Sequence, residues 1–345
     1  FARMDIPTEQ RQKDYHFDLE KMGHTVFYGS PGFGKSLALQ TLVLNLARLN
    51  TPEQVQINLF DFGTNGLLPL KDLPHVVDLT RFDEEEKLVK FLKRIDHELK
   101  IRKEKFALYN VASLSQYEQK SGEKLPAILT IFDGFDTIKD TPLEEAIEST
   151  INRILREGAS LGCYVILTAL RSNSLKISMS SNITSRLAFY LVDEGASKEI
   201  IGRDALIQQE IFGRAQLKED IPYAIQVYLP ISGEGDIERL YNLEEEVKLI
   251  ARSWTGVCPE PIPMLPNEVT LTHFSNHPKV LEMWSRGELP IGFDKETTDP
   301  QGFVPDRDGY FEFLYDTPQQ LEYCENSLIP GLNRLVNIEK ILLNT

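Results

Sequence analysis

The sequence predicts an α/β fold, a doubly wound sheet built around a phosphate-binding loop and followed by part of a second α/β domain. Three observations carry this. Between positions 24 and 255, short β-branched apolar runs alternate with longer amphipathic stretches. A segment of the form G-x-x-x-x-G-K-[ST] sits between the first such run and the first such stretch. The chain has 345 residues, 41% of them hydrophobic and 26% charged, which is globular composition with length for about two domains.

In chain order, HTVFY (24–28) is the opening strand and 35–49 the helix after the glycine-rich loop. VQINLF (55–60) follows, then a helix over 84–108 whose stripe is Leu88, Phe91, Leu92, Ile95, Leu99 and Phe106, with acidic residues at its N-terminal end. AILTIF (127–132), YVILTA (164–169), RLAFYLV (186–192) and YAIQVYL (223–229) are the remaining strands, and helices are expected over 142–159 and 236–253. Most of these runs are apolar nearly throughout, as in strands of a parallel sheet covered on both faces. Residues 1–257 therefore read as one domain. The stretch 258–288 reads as a linker, because 258–271 carries four prolines. Residues 289–345 are then the start of something further.

Charge and cysteine narrow the function. With 37 Lys+Arg against 52 Asp+Glu the net charge is −15, which argues against a duplex-DNA binder that relies on neutralising phosphates. The three cysteines, Cys163, Cys258 and Cys324, are far apart and form no metal-ligand spacing, which fits a reducing compartment. No apolar run approaches the roughly 20 residues of a membrane helix.

The loop Gly29, Ser30, Pro31, Gly32, Phe33, Gly34, Lys35 and Ser36, with Leu37 directly behind it, is the expected nucleotide site. Its glycines let successive N–H groups converge on a phosphate, and the following helix adds its positive end. Lys35 reaches the β/γ oxygens, and the Ser36 hydroxyl ligates Mg²⁺. The run 127–132 ends in Asp133, the Walker B pattern; Asp133 either holds the Mg²⁺ of ATP or caps the next loop. Many motor ATPases place Glu directly after this Asp to polarise the attacking water, but here the residue is Gly134. Asp136 is the remaining candidate base, so ATP binding is better supported than turnover.

These segments, together with LFDFGTNGLLPLKDLPHVVD (59–78), GCYVILTALR (162–171) and NITSRLAFYL (182–191), resemble the FtsK/SpoIIIE branch of RecA-like ATPases, and within it the ATPases of type VII secretion. The resemblance covers about 5–255. It implies a RecA-like P-loop NTPase fold with ATP and Mg²⁺ as cofactors, in a cytoplasmic domain of a bacterial cell-membrane protein. Its partners would be secreted small helical substrate proteins and other type VII secretion components, with a ring-forming homo-oligomer in the full-length protein; nucleic acid is not expected. By the same resemblance Thr168 belongs to a segment facing the γ-phosphate, although Leu170 replaces the family's glutamine before Arg171. Arg186 matches a family arginine near the subunit boundary, either an arginine finger acting in trans or a structural arginine. Residues 289–328 look like the opening of a following FtsK-like domain of the same type. Its strand, 311–315, leads into 316–323, where no glycine, Lys or Ser/Thr stands at the expected end, so that Walker A loop is degenerate. Two functions stay open: a hydrolysing motor, and a module that holds ATP while other domains turn over.

Overall fold

The computed structural model describes residues 1–304 except 64 and 219–220, together with 314–322 and 325–326. The chain divides into two compact units, Phe1–Ile262 and Pro263–Thr345. The first contains β1 (Ala2–Ile6), β2 (Arg11–Tyr15), α1 (Leu19–Met22), β3 (Thr25–Tyr28), α2 (Lys35–Leu49), β4 (Val55–Asp61), β5 (Val76–Arg81), α3 (Glu85–Leu108), α4 (Leu114–Ser121), β6 (Ala127–Asp133), α5 (Glu144–Arg153), β7 (Cys163–Ala169), α6 (Ile177–Ser180), β8 (Ser185–Phe189), α7 (Glu194–Ile201), β9 (Arg214–Leu217), β10 (Tyr223–Val227) and α8 (Asp236–Ser253).

The strands form one sheet in the order β2-β1-β10-β9-β8-β3-β7-β6-β4-β5. From β8 to β5 all neighbours are parallel, whereas β8–β9, β9–β10, β10–β1 and β1–β2 are antiparallel. The strand read at 223–229 is therefore antiparallel, in an extension of the sheet that sequence reading did not foresee. That reading missed β1, β2, β5 and β9 because they are short or carry charged residues; β2 is Arg-Gln-Lys-Asp-Tyr and forms an exposed border.

Alternation along the strands fills two cores. Phe27, Tyr164 and Ile166 face the layer of α2 and α8, while Val26, Tyr28, Val165 and Leu167 face the layer of α3 and α5. Arg102 on α3 is 1% exposed yet fully used: it pairs with Glu98 at 2.7 Å and donates to the carbonyls of Leu161 and Pro126 at 2.8 and 2.7 Å. It ties the helix to the entrances of β7 and β6, and removing it would strand those buried carbonyls. The helix expected over 142–159 ends as α at Arg153 and passes through a π turn at Ile154–Gly158. A Cβ on Gly158 would lie 2.5 Å from the Cys163 carbonyl, so glycine is required where this turn meets β7.

The expected linker at 258–288 is not one extended piece. Ile262 is buried in the first unit, where its N–H donates to Asp78 at 2.9 Å, and Arg94 donates to the carbonyls of Glu260 and Pro261. In the second unit α9 (Leu271–Ser275) and α10 (Pro278–Ser285) precede the antiparallel hairpin of β11 (Leu289–Phe293) and β12 (Pro300–Phe303), with Val280, Met283 and Leu289 buried. The strand expected at 311–315 and the degenerate loop at 316–323 fall partly outside the described residues.

Candidate functional site

The parallel strands set the site. β3 lies between β8 and β7, with β6 next to β7, so the C-terminal ends of these strands share one edge. The loop leaves β3 at that edge. Its first two amides are held by the flanking strands: Gly29 N–H donates to the Ala169 carbonyl at 3.1 Å and Ser30 N–H to Tyr190 at 2.8 Å. The Val192 amide donates to the Ser30 hydroxyl at 3.2 Å, and the ring of Phe33 lies 4.5 Å from that of Tyr190. Gly34 has φ +95 and is overlain by the backbone of Gly213, whose N–H donates to the Phe33 carbonyl at 3.2 Å. A side chain at 34 would meet that backbone while adopting a conformation that favours glycine. Pro31 and Gly32 are exposed, and Leu37 lies in the first turn of α2.

Lys35 folds back over the loop and donates to the carbonyls of Gly29 and Ser30 at 2.6 and 3.0 Å. Burial pulls its pKa down, while the carboxylates of Asp133 and Asp136 push it up. The loop thus presents a partly desolvated ammonium close to negative charge, which a phosphate can take over. Tyr28, the last residue of β3, has its phenol pushed up to about 12 by burial.

Strand register places the acidic residues. Asp61 is the partner of Asp133, and Thr168 is the partner of Phe27. Phe27 belongs to the α2 core, so this transverse row of Asp61, Asp133 and Thr168 points to the face on which α2 starts. Asp61 accepts N–H groups from Leu67 and Gly63 at 2.8 and 3.2 Å; burial raises its pKa, the Leu67 bond lowers it, and Asp133 raises it again. Its work is to shape the loop after β4.

Asp133 is 4% exposed and accepts the Thr168 hydroxyl on Oδ1 at 2.6 Å. The same Thr168 oxygen accepts the Gly134 N–H at 2.7 Å. The Thr168 hydroxyl proton is therefore committed to Asp133. Asp136, the candidate base, accepts the Leu170 amide on Oδ2 at 2.8 Å and the Ser174 hydroxyl on Oδ1. Both oxygens of Asp136 accept from the turn after β7.

Gly134 is more than a missing Glu. Its φ is +81, and a Cβ there would lie 3.1–3.2 Å from the backbone of Phe62 and Gly63. The two loops meet backbone to backbone, so a side chain here would be strained by the positive φ and would have to push the Gly63 backbone aside. Sequence reading saw the absent Glu but not this contact, whose signal is Gly63 in FGTNG. Arg186 pairs in register with Val26, which faces the α3 core, and its guanidinium donates to the Ser180 carbonyl at 2.9 Å. It therefore lies on the sheet face opposite α2.

The residues fit a hard divalent cation. Among the described residues, neither Ser36 Oγ nor Asp133 Oδ2 has a hydrogen-bond partner, and both are the oxygen donors Mg²⁺ prefers. No group of three or more His, Cys, Asp or Glu among the described residues could hold a metal alone, so water and nucleotide phosphates would complete the shell. No helix among those residues is long and apolar enough to cross a membrane.

Comparison with known proteins agrees with this geometry. The sequence profile of the FtsK/SpoIIIE family matches residues 2–216. The type VII secretion system protein EssC of Staphylococcus aureus is 34% identical over 294 residues, covering 85% of this chain and 20% of that protein. The chain thus spans about a fifth of the length of the curated relatives it matches. The solved structure of EssC (ATPases 2 and 3) from Geobacillus thermodenitrificans superposes with a TM-score of 0.87 at 32% identity, covering 96% of this chain and 64% of that one. Thermomonospora curvata EccC (ATPases 2 and 3), solved in complex with a signal sequence peptide, gives a TM-score of 0.70 at 26% identity, covering 89% of this chain and 55% of that one.

Proposed function

This chain belongs to the FtsK/SpoIIIE family, and from that premise we propose that its first unit is an ATP-holding domain of a type VII secretion ATPase with weak or no hydrolysis of its own. The observation that carries the reading is the contrast between an intact phosphate loop and the interlocked Gly134 behind it. Nucleotide phosphates would lie over the loop amides and the start of α2, with Lys35 turning from the Gly29 and Ser30 carbonyls to the β/γ oxygens. Ser36 and Asp133 would hold Mg²⁺, which neutralises phosphate charge when bound. Asp136 has both oxygens on the neighbouring turn, and Asp133 Oδ2, which has no partner among the described residues, is taken up by Mg²⁺ in this reading, so neither is left to orient a water for attack.

In the full-length protein this unit serves export of small helical proteins, as part of a ring attached to the cytoplasmic side of the cell membrane. Similarity to EssC and EccC supports this wider role. A hydrolysing motor is the second reading; Asp136 would then be the base, and Arg186 of a neighbouring subunit could stabilise charge on the transferred phosphoryl group.

The test is single turnover with labelled ATP, Mg²⁺ and excess protein, with Lys35→Ala as control. ATP bound through Lys35 and left intact supports the holding role. Cleavage that depends on Lys35 and Asp136 would replace it with the motor, and absence of binding would end both.

A further inference from the structure

We propose that Thr168 is a positioning residue that aims Asp133 at the metal, and so sets how strongly Mg²⁺ tightens nucleotide binding. The proposal rests on the reading of Asp133 as the Mg²⁺-holding carboxylate.

Thr168 is 1% exposed and Asp133 4% exposed, so neither can turn freely to water. A hydroxyl has one proton and two lone pairs. The Gly134 amide donates to the Thr168 oxygen, which leaves the proton to Asp133 Oδ1. The polarity of the chain is therefore fixed: Gly134 N–H to Thr168, Thr168 O–H to Asp133. A hydroxyl-to-carboxylate bond of 2.6 Å is in the strong, charge-assisted range. It takes Oδ1 and leaves Oδ2 as the oxygen with no partner among the described residues.

The same hydroxyl holds the first amide after Asp133, where the chain turns through the positive φ of Gly134 into contact with Gly63. One side chain on β7 thus fixes both the rotation of the carboxylate and the turn leading out of it. Without the hydroxyl, Asp133 would rotate about its side-chain bonds and the Gly134 N–H would lose its partner. Outer-shell partners of this kind are worth about 10–100-fold in metal affinity.

The experiment titrates the whole chain with a fluorescent ATP analogue, once in Mg²⁺ and once in EDTA. In Thr168→Val the expected affinity in Mg²⁺ is about tenfold weaker, while the EDTA value stays within about twofold of the unsubstituted protein. Thr168→Ser, which keeps the hydroxyl, restores the gap between the two arms. Thr168→Ala supplies the same readout should the valine variant not fold, and Mn²⁺ binding followed by electron paramagnetic resonance reports the metal directly. A Val or Ala variant that keeps the full Mg²⁺ effect overturns the proposal, as does equal loss in both arms, which is the mark of a purely structural residue. If the unsubstituted protein binds equally in Mg²⁺ and EDTA, the Asp133 reading falls and the proposal with it. The ATP-holding function then still stands on the loss of binding in Lys35→Ala.

Discussion

The phosphate loop and the strand-end cluster behind it are built on opposite plans. In the loop, the flanking strands hold the backbone while the ligand-facing groups stay available: Ser36 has no partner among the described residues, and Lys35 rests on two carbonyls it can leave. In the cluster, the polar groups are mostly bound within it, Asp133 Oδ2 being an exception. Thr168 binds Asp133 and Gly134, Asp136 binds Leu170 and Ser174, and Asp61 binds Leu67 and Gly63. The loop leaves its ligand-facing groups accessible, whereas most polar side chains of the cluster are bound to their neighbours.

Four substitutions break or sharpen that contrast. Lys35→Ala has the largest expected effect, a loss of about 100-fold in ATP affinity, or roughly 3 kcal/mol, since it removes the charged donor to the phosphates. Calorimetric titration measures it, and thermal melting of the nucleotide-free protein should stay nearly unchanged; a large drop in melting would show that the loop lysine is scaffold too. Gly134→Glu comes next. It places a side chain at positive φ against the Gly63 backbone and should cost about 1–3 kcal/mol in urea unfolding without any gain in turnover. A stable variant that hydrolyses ATP would erase the distinction between the two regions.

Asp136→Asn should cost about 1 kcal/mol, because an amide cannot accept both donors, and should leave ATP affinity within about threefold. Loss of single-turnover cleavage at unchanged stability would return Asp136 to the role of base. Arg186→Ala is the mildest: about 0.5–1 kcal/mol for the lost bond to Ser180, with binding unaltered. A fall in turnover seen only in assembled protein would identify it as a finger acting between subunits.

The loop was legible because an eight-residue pattern dictates its own local geometry, and α2 begins at Lys35 and ends at Leu49 as periodicity predicts. The six apolar strands were legible for the same local reason. What escaped depends on pairs distant in sequence. Gly134 acquires its meaning only when β4 and β6 lie side by side and bring Gly63 against it. Thr168 could be assigned to the right neighbourhood, but its partner is chosen by the parallel register of β6 and β7. Arg186 shows the limit of residue identity: a shift of one position along β8 would put it on the other face of the sheet. β2 escaped because this border strand has no apolar face to announce it.

That border has a consequence of its own. A strand at the end of a sheet offers a row of unpaired amides and carbonyls to any passing chain, and a ten-stranded sheet with an inviting border is a template for fibres. β2 meets the threat with Arg11, Lys13 and Asp14, all exposed, so a second copy docking there would have to strip water from several charges. The charges along β2 thus make the exposed end of the sheet a poor template for a second strand.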